Sequence, residues 1–397
     1  MNPESTFRPG RHFLQIPGPS NTPDRVLRAM AQPVIDHRGP EFPALTHNLL
    51  ERMKPLFGTN GEVFIYPASG TGGWECALLN LFAPGDKVLA FETGHFATLW
   101  KSVAEKLGLE VVWVEGDWRC GIQPEQVKAS LAADKASEIK AVLAVHTETS
   151  TGVTSRIPDI REAMDATGHS ALLLVDAVSS LACTEFRQED WGVDVVVSAS
   201  QKGLMLPPGL SFNAVNARAL EIAGSARGKQ SYWHWQTMLE NNAKGYFPYT
   251  PATNLLYGLR EALDQIDEEG LSNVLARHRR LAEATRVAVD TWGLENVCQD
   301  PAEYCNSTTA IFTPDGSDAD LLRSIILEKF NMSLGTGLGK LKGKVFRIGH
   351  IGDFNELMLL GTLSGVEMGL QLANVPFNAG GVGAAMDYLV NQAGPAA

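Results

Sequence analysis

The chain has 397 residues, 44% hydrophobic and 20% charged, with a net charge of −12 and a pI near 5.3. That mix supports a large buried core without disulfides or metals, and its acidity sets the surface against a phosphate backbone, so nucleic acid is excluded as a partner. Cys76, Cys120, Cys183, Cys298 and Cys305 show no CxxC spacing, residues 1–15 hold no apolar signal core, and no run reaches the ~18 apolar residues of a membrane span; a soluble cytoplasmic protein with reduced thiols and no metal is expected.

From residue 63 to 216, strand-length runs rich in Val, Leu or Ile recur at 63–67, 87–91, 110–114, 141–146, 172–178, 193–198 and 210–215. Helix-length segments at 73–82, 98–107, 124–132 and 157–166 fall between them, an alternation that predicts a mainly parallel sheet covered by helices. After Pro251 the pattern turns to long helices at 254–269 and 272–291, the second with apolar positions at Val274, Leu281, Ala288 and Trp292. The basic cluster Arg277-His278-Arg279-Arg280 within it reads as a solvated helix face. A smaller α/β segment is expected next: strands at 308–312 and 345–348, a helix at 318–330 and a last helix near 355–373.

Three motifs stand where chemistry is expected. Ser69-Gly70-Thr71-Gly72-Gly73 follows a strand and opens a helix; free N–H groups and the helix dipole make this either an anion cradle or a tight strand-to-helix turn. It completes neither GxGxxG nor GxxxxGK[ST]. The run 172–178 ends an apolar strand on Asp176. That carboxylate caps the next helix, pairs with a core Arg, or faces a protonated cofactor ring. One strand later, Ser198-Ala199-Ser200-Gln201-Lys202 delivers a lysine to the same sheet edge, where it either snorkels to solvent or forms a Schiff base with its pKa lowered by desolvation. Ligands of open parallel sheets sit beyond the strands' carboxyl ends, where all three motifs fall.

The succession SGTGGWE, HTETSTG, LLLVDAVSS, SASQKG, YTPATNLLYGLREAL and VFRIGHIG, together with Pro17-Gly18-Pro19-Ser20-Asn21, resembles the class V aminotransferases, particularly the serine/alanine–glyoxylate branch, over nearly the whole chain. The resemblance implies the fold type I architecture of pyridoxal-phosphate enzymes: an N-terminal loop segment over 1–21 that lines the active site, a large cofactor-binding domain over 22–270 and a small C-terminal α/β domain over 271–397. It implies that Lys202 bonds the cofactor covalently and moves the substrate proton, that Asp176 faces the pyridine nitrogen, and that Ser69, Gly70, Thr71 and Gln201 hold the phosphate. It further implies Thr149 near the ring hydroxyl, Val178 and Phe96 on the ring faces, and Arg347, Ser20 and Asn21 on the substrate. Thr250 is similar to a residue that reaches the partner subunit's cofactor, which implies a homodimer with shared sites. Some relatives carry Tyr where this chain has Phe247, which puts a tyrosine–phosphate contact there in doubt, with Tyr246 and Tyr249 alongside.

The reaction implied is ping-pong transamination from serine, with alanine or aspartate as alternatives, to glyoxylate. Aspartate would require a second cation, for which Arg38, His37, His234, Arg227 and His350 are nominal candidates. Tyr232-Trp233-His234-Trp235 reads as a packed core segment. The rival readings are a cysteine desulfurase using Cys298 or Cys305, an NAD-binding dehydrogenase, and a non-catalytic binding protein.

Overall fold

The computed structural model describes residues 9–225 and 231–393, so Arg227 and the chain ends lie outside it. Thirteen strands are present among the described residues: β1 (Phe13–Gln15), β2 (Glu62–Tyr66), β3 (Lys87–Phe91), β4 (Glu110–Val114), β5 (Ile139–Val145), β6 (Thr147–Glu148), β7 (Val153–Thr154), β8 (Leu172–Asp176), β9 (Val195–Ala199), β10 (Ser211–Val215), β11 (Thr308–Phe312), β12 (Met332–Thr336) and β13 (Val345–Gly349).

A seven-stranded sheet runs β2-β10-β9-β8-β5-β3-β4. β10 is antiparallel to both neighbours and the remaining pairs are parallel. β2 therefore points the same way as β8 and β9, and their carboxyl ends open on one edge. β8, β9 and β10 are buried at every position, as strands covered by helices on both faces must be, which is why they read as unbroken apolar runs rather than alternations. A second sheet, β1-β12-β13-β11, has its own core of Leu281, Trp292, Phe346 and Leu363. β1 pairs in parallel with β12, so the N-terminal segment is stitched to the C-terminal sheet before the chain enters the large one.

The structure corrects the sequence reading in several places. The helix Glu356–Leu372 is not the last: Gly381–Ala393 follows and packs on the long helix Leu271–Trp292. Its first glycine is required there, because a Cβ on Gly381 would stand 2.6 Å from Trp292 Cε2. The helix Phe42–Phe57 had escaped notice because Pro43 and Pro55 lie in its first and last turns; it ends on Gly58 at φ 60°. The basic cluster is not a free solvated face, since His278 is buried and Arg277 and Arg280 pair with Glu269 and Glu356. In the aromatic run Trp235 is buried while Tyr232 is exposed, its ring stacked at 4.4 Å on Tyr249.

Candidate active site

β2 leads through Ser69, in extended conformation, into the helix Gly70–Leu81. Glycine at 70 lets the helix start press on the chain beyond β8, for a Cβ there would lie 2.8 Å from Val178 Cγ2. β8 delivers Asp176, whose carboxylate is buried and accepts from Val178 N at 2.7 Å and Trp74 Nε1 at 2.9 Å. Burial pushes its pKa up to about 7 against those two donors, with Glu148 adding to the rise. β9 exits into a turn pinned by Ser200, whose Oγ donates to Pro207 O at 2.8 Å and accepts from Leu210 N at 3.1 Å. That turn carries Lys202, which does not snorkel: it is 8% exposed, and its Nζ donates to Pro17 O at 2.5 Å. Burial, then the nearby Arg347, lower its pKa to about 8. A lysine held so is a usable base near neutral pH.

These exits surround a cavity of about 260 Å³ lined by Ser69, Gly70, Thr71, Phe96, Thr149, Asp176, Val178, Gln201 and Lys202, so the structure brings those expected residues together. Gly18 and Pro19, from the N-terminal segment expected at the site, also line it, as do Trp74, Thr147, Ser179 and Pro208, which were missed. Trp74 reads in the sequence as one more apolar helix residue, and nothing local ties it to Asp176. Ser179 meets Thr149 hydroxyl to hydroxyl.

The remaining expected residues stand further off. Arg347, buried on β13, donates from Nε to Thr336 O and from Nη1 to Thr149 O, both at 2.8 Å; it adjoins the cavity through Thr149, and part of its fork is already committed. Burial lowers its pKa to about 10. Ser20 ties the N-terminal segment to the lysine turn, donating from Oγ to Lys202 O at 2.9 Å and from N to Gln201 O at 3.0 Å. Asn21 donates to Leu14 O at 3.1 Å and lines a separate surface cleft. Thr250 is exposed, 3.5 Å from His37 Nε2. Phe247 is buried, and Tyr249 Oη points to Ile65 O at 3.5 Å. Of the described cation candidates, His350 is buried between Thr309 and Asn306, His234 bonds Thr237, and none of His37, Arg38, His234 and His350 lines the cavity. No cysteine lines it either; Cys298 and Cys305 are buried elsewhere.

The donor set fits pyridoxal phosphate. A lysine amine and a buried carboxylate flank the cavity, the hydroxyls of Ser69 and Thr71 stand at a helix N-terminus, and the Gln201 side chain, whose amide NH₂ is a donor, lines the same cavity. Among the described residues there is no cluster suited to a metal ion and no helix long and apolar enough to cross a membrane.

Fold and site together define a pyridoxal-phosphate enzyme of the aminotransferase type. The aminotransferase class-V profile matches residues 12–339. The serine–glyoxylate aminotransferase of Methylorubrum extorquens is 50% identical over 97% of this chain and 98% of its own. The L-aspartate–glyoxylate aminotransferase of Paracoccus denitrificans is 44% identical over 94% and 95%. The crystal structure of the ureidoglycine–glyoxylate aminotransferase from Bacillus subtilis superposes with a TM-score of 0.89 at 28% identity, covering 98% of this chain and 100% of that one. The chain belongs to the class-V aminotransferase family and is a pyridoxal-phosphate-dependent aminotransferase.

Proposed function

We propose that this aminotransferase moves the amino group of a small L-amino acid, serine first, to glyoxylate, yielding glycine and a 2-keto acid in two half-reactions at one site. The observation that carries the chemistry is the convergence of Lys202 and Asp176 on one small cavity. The choice of serine and glyoxylate rests on the 50% identity to a serine–glyoxylate enzyme; the 44% identity to an aspartate–glyoxylate enzyme keeps aspartate as the second donor.

Pyridoxal phosphate supplies, when bound, an aldehyde carbon that takes the amino group and a cationic ring that draws electrons from the substrate's Cα. In this reading Asp176 accepts the ring N–H, and Trp74 and Val178 keep the carboxylate aimed. Lys202 Nζ carries the proton away from the substrate carbon and returns one, its lowered pKa matching that work. Ser69, Gly70, Thr71 and Gln201 hold the phosphate, Val178 and Phe96 cover the ring, and Ser179 orients the Thr149 hydroxyl. Arg347 binds the substrate carboxylate with the protons its two backbone bonds leave free. Ser20 acts through its bond to Lys202 O. Asn21, bonded to Leu14 O, supports the loop rather than the substrate.

In the same reading the enzyme is a cytoplasmic homodimer, with exposed Thr250 reaching the partner's phosphate, and the chain divides near residue 270, a boundary supported by the two separate cores. The test adds serine alone to the holoenzyme. The visible cofactor band should be lost as one equivalent of hydroxypyruvate forms, and glyoxylate should restore the band as glycine appears. Hydroxypyruvate that forms only when glyoxylate is also present would overturn the two-step reading, and faster loss of the band with aspartate would reassign the donor.

A further inference from the structure

Glu148 is completely buried, beside the cavity but outside its lining. Its carboxylate accepts from Phe96 N at 3.1 Å and Ala97 N at 3.0 Å, in the first turn of the helix His95–Lys106. It also accepts from Ser150 N at 3.1 Å and Ser150 Oγ at 2.7 Å, while His95 N donates to Ser150 Oγ at 3.0 Å. The approach is close enough to dictate glycine at 94, where a Cβ would overlap the Glu148 side chain and stand 2.6 Å from Ser150 Oγ. Its charge is thus met by N–H and O–H donors and a helix N-terminus.

We infer that Glu148 is a positioning residue that locks the aromatic wall at Phe96 and the cation at Arg347 into one geometry. The chain of contacts is short. The carboxylate grips the backbone of Phe96; one residue on, Thr149 lines the cavity and offers its carbonyl to Arg347 Nη1. Glu148 also acts on Arg347 electrostatically, favouring its charged form against the burial that lowers its pKa. A neutral residue there releases the helix start and leaves Arg347 with less support for its charge, so the cost falls on carboxylate binding. The inference rests on the reading of Arg347 as the carboxylate-binding residue.

The test is Glu148→Gln, which keeps the shape, removes the charge and turns an NH₂ toward backbone donors. The loss of one charge-assisted hydrogen bond predicts a rise in KM of about ten- to a hundred-fold for both serine and glyoxylate, with kcat held within about three-fold. Binding of glycolate, a nonreacting carboxylate, should weaken by the same factor when followed by perturbation of the visible cofactor band. Ser150→Ala, which removes one donor to Glu148 without altering charge, should move KM and glycolate affinity the same way by a few-fold and serves if Glu148→Gln does not fold. Arg347→Lys is measured alongside. If it too leaves KM unchanged, the assignment of Arg347 has failed. If it raises KM while Glu148→Gln and Ser150→Ala alter only thermal stability, the present inference is wrong and Glu148 is merely structural.

Discussion

Trp74 Nε1 donates to Asp176 Oδ2 at 2.9 Å, joining the first helix of the large sheet to the end of β8 across 102 positions of sequence. The indole is itself held by stacking on Trp100 at 5.7 Å, so the carboxylate is aimed by a rigid donor. Asp176→Asn, nearly isosteric but uncharged, should lower kcat by about 10²- to 10³-fold with an unchanged far-ultraviolet spectrum. Trp74→Phe should cost roughly ten-fold. Because it removes a donor that favours the ionised form, the acid limb of the pH–rate profile should move to higher pH; movement to lower pH would show that Trp74 does not support the carboxylate.

Gly18 sits at φ +136° with the place of its Cβ filled by the Lys202 side chain, 2.6 Å from Cε. Gly18→Ala should therefore displace the lysine as well as strain the loop. The expected stability loss is roughly 1–3 kcal/mol, accompanied by a fall in the rate of cofactor uptake; a variant with normal uptake would contradict the packing described.

Acid should destabilise the cofactor-free protein through its buried histidines. Burial lowers His146 and His278 to about 4 and His350 to about 3, and His278 is fixed neutral, Nδ1 donating to Val274 O while Nε2 accepts from Gly352 N. The unfolded chain takes up these protons near pH 6.5 and the folded one does not, so their contribution is complete above about 6.5 and is lost as pH falls toward 4. For His278 the loss is on the order of 3 kcal/mol at most. Raised Asp176 works in the opposite direction between about pH 4 and 7. Urea unfolding against pH should fall more steeply below 6.5 for the wild type than for His278→Gln; equal slopes would remove His278 from the account.

Thr250 lies exposed rather than in its own chain's cavity. If it serves a partner's cofactor, co-expressing Thr250→Ala with Lys202→Ala should give mixed dimers in which one site regains wild-type cofactor affinity. Affinity that stays at the Thr250→Ala value would place the residue's effect within its own subunit.

The central strands of the large sheet were legible because burial on both faces demands unbroken Val, Leu and Ile. Lys202 and Asp176 were legible as polar residues at the ends of such strands. Trp74 and Glu148 were not, since the first meets its partner only in the folded sheet and the second sits in a threonine-rich stretch that reads as a turn. β1 was hidden for a different reason: three residues carry no usable alternation, and their order comes from pairing with β12 more than 300 positions away. Gly381 and Gly383 read as breakers, yet the helix they begin is held by its packing against Trp292.

The most direct measurement is borohydride reduction of the holoenzyme, followed by proteolysis and mass mapping of the cofactor adduct. The account predicts a single modified peptide with the adduct on Lys202, and none in Lys202→Ala treated identically. An adduct on another lysine, or one that persists in that variant, would contradict it.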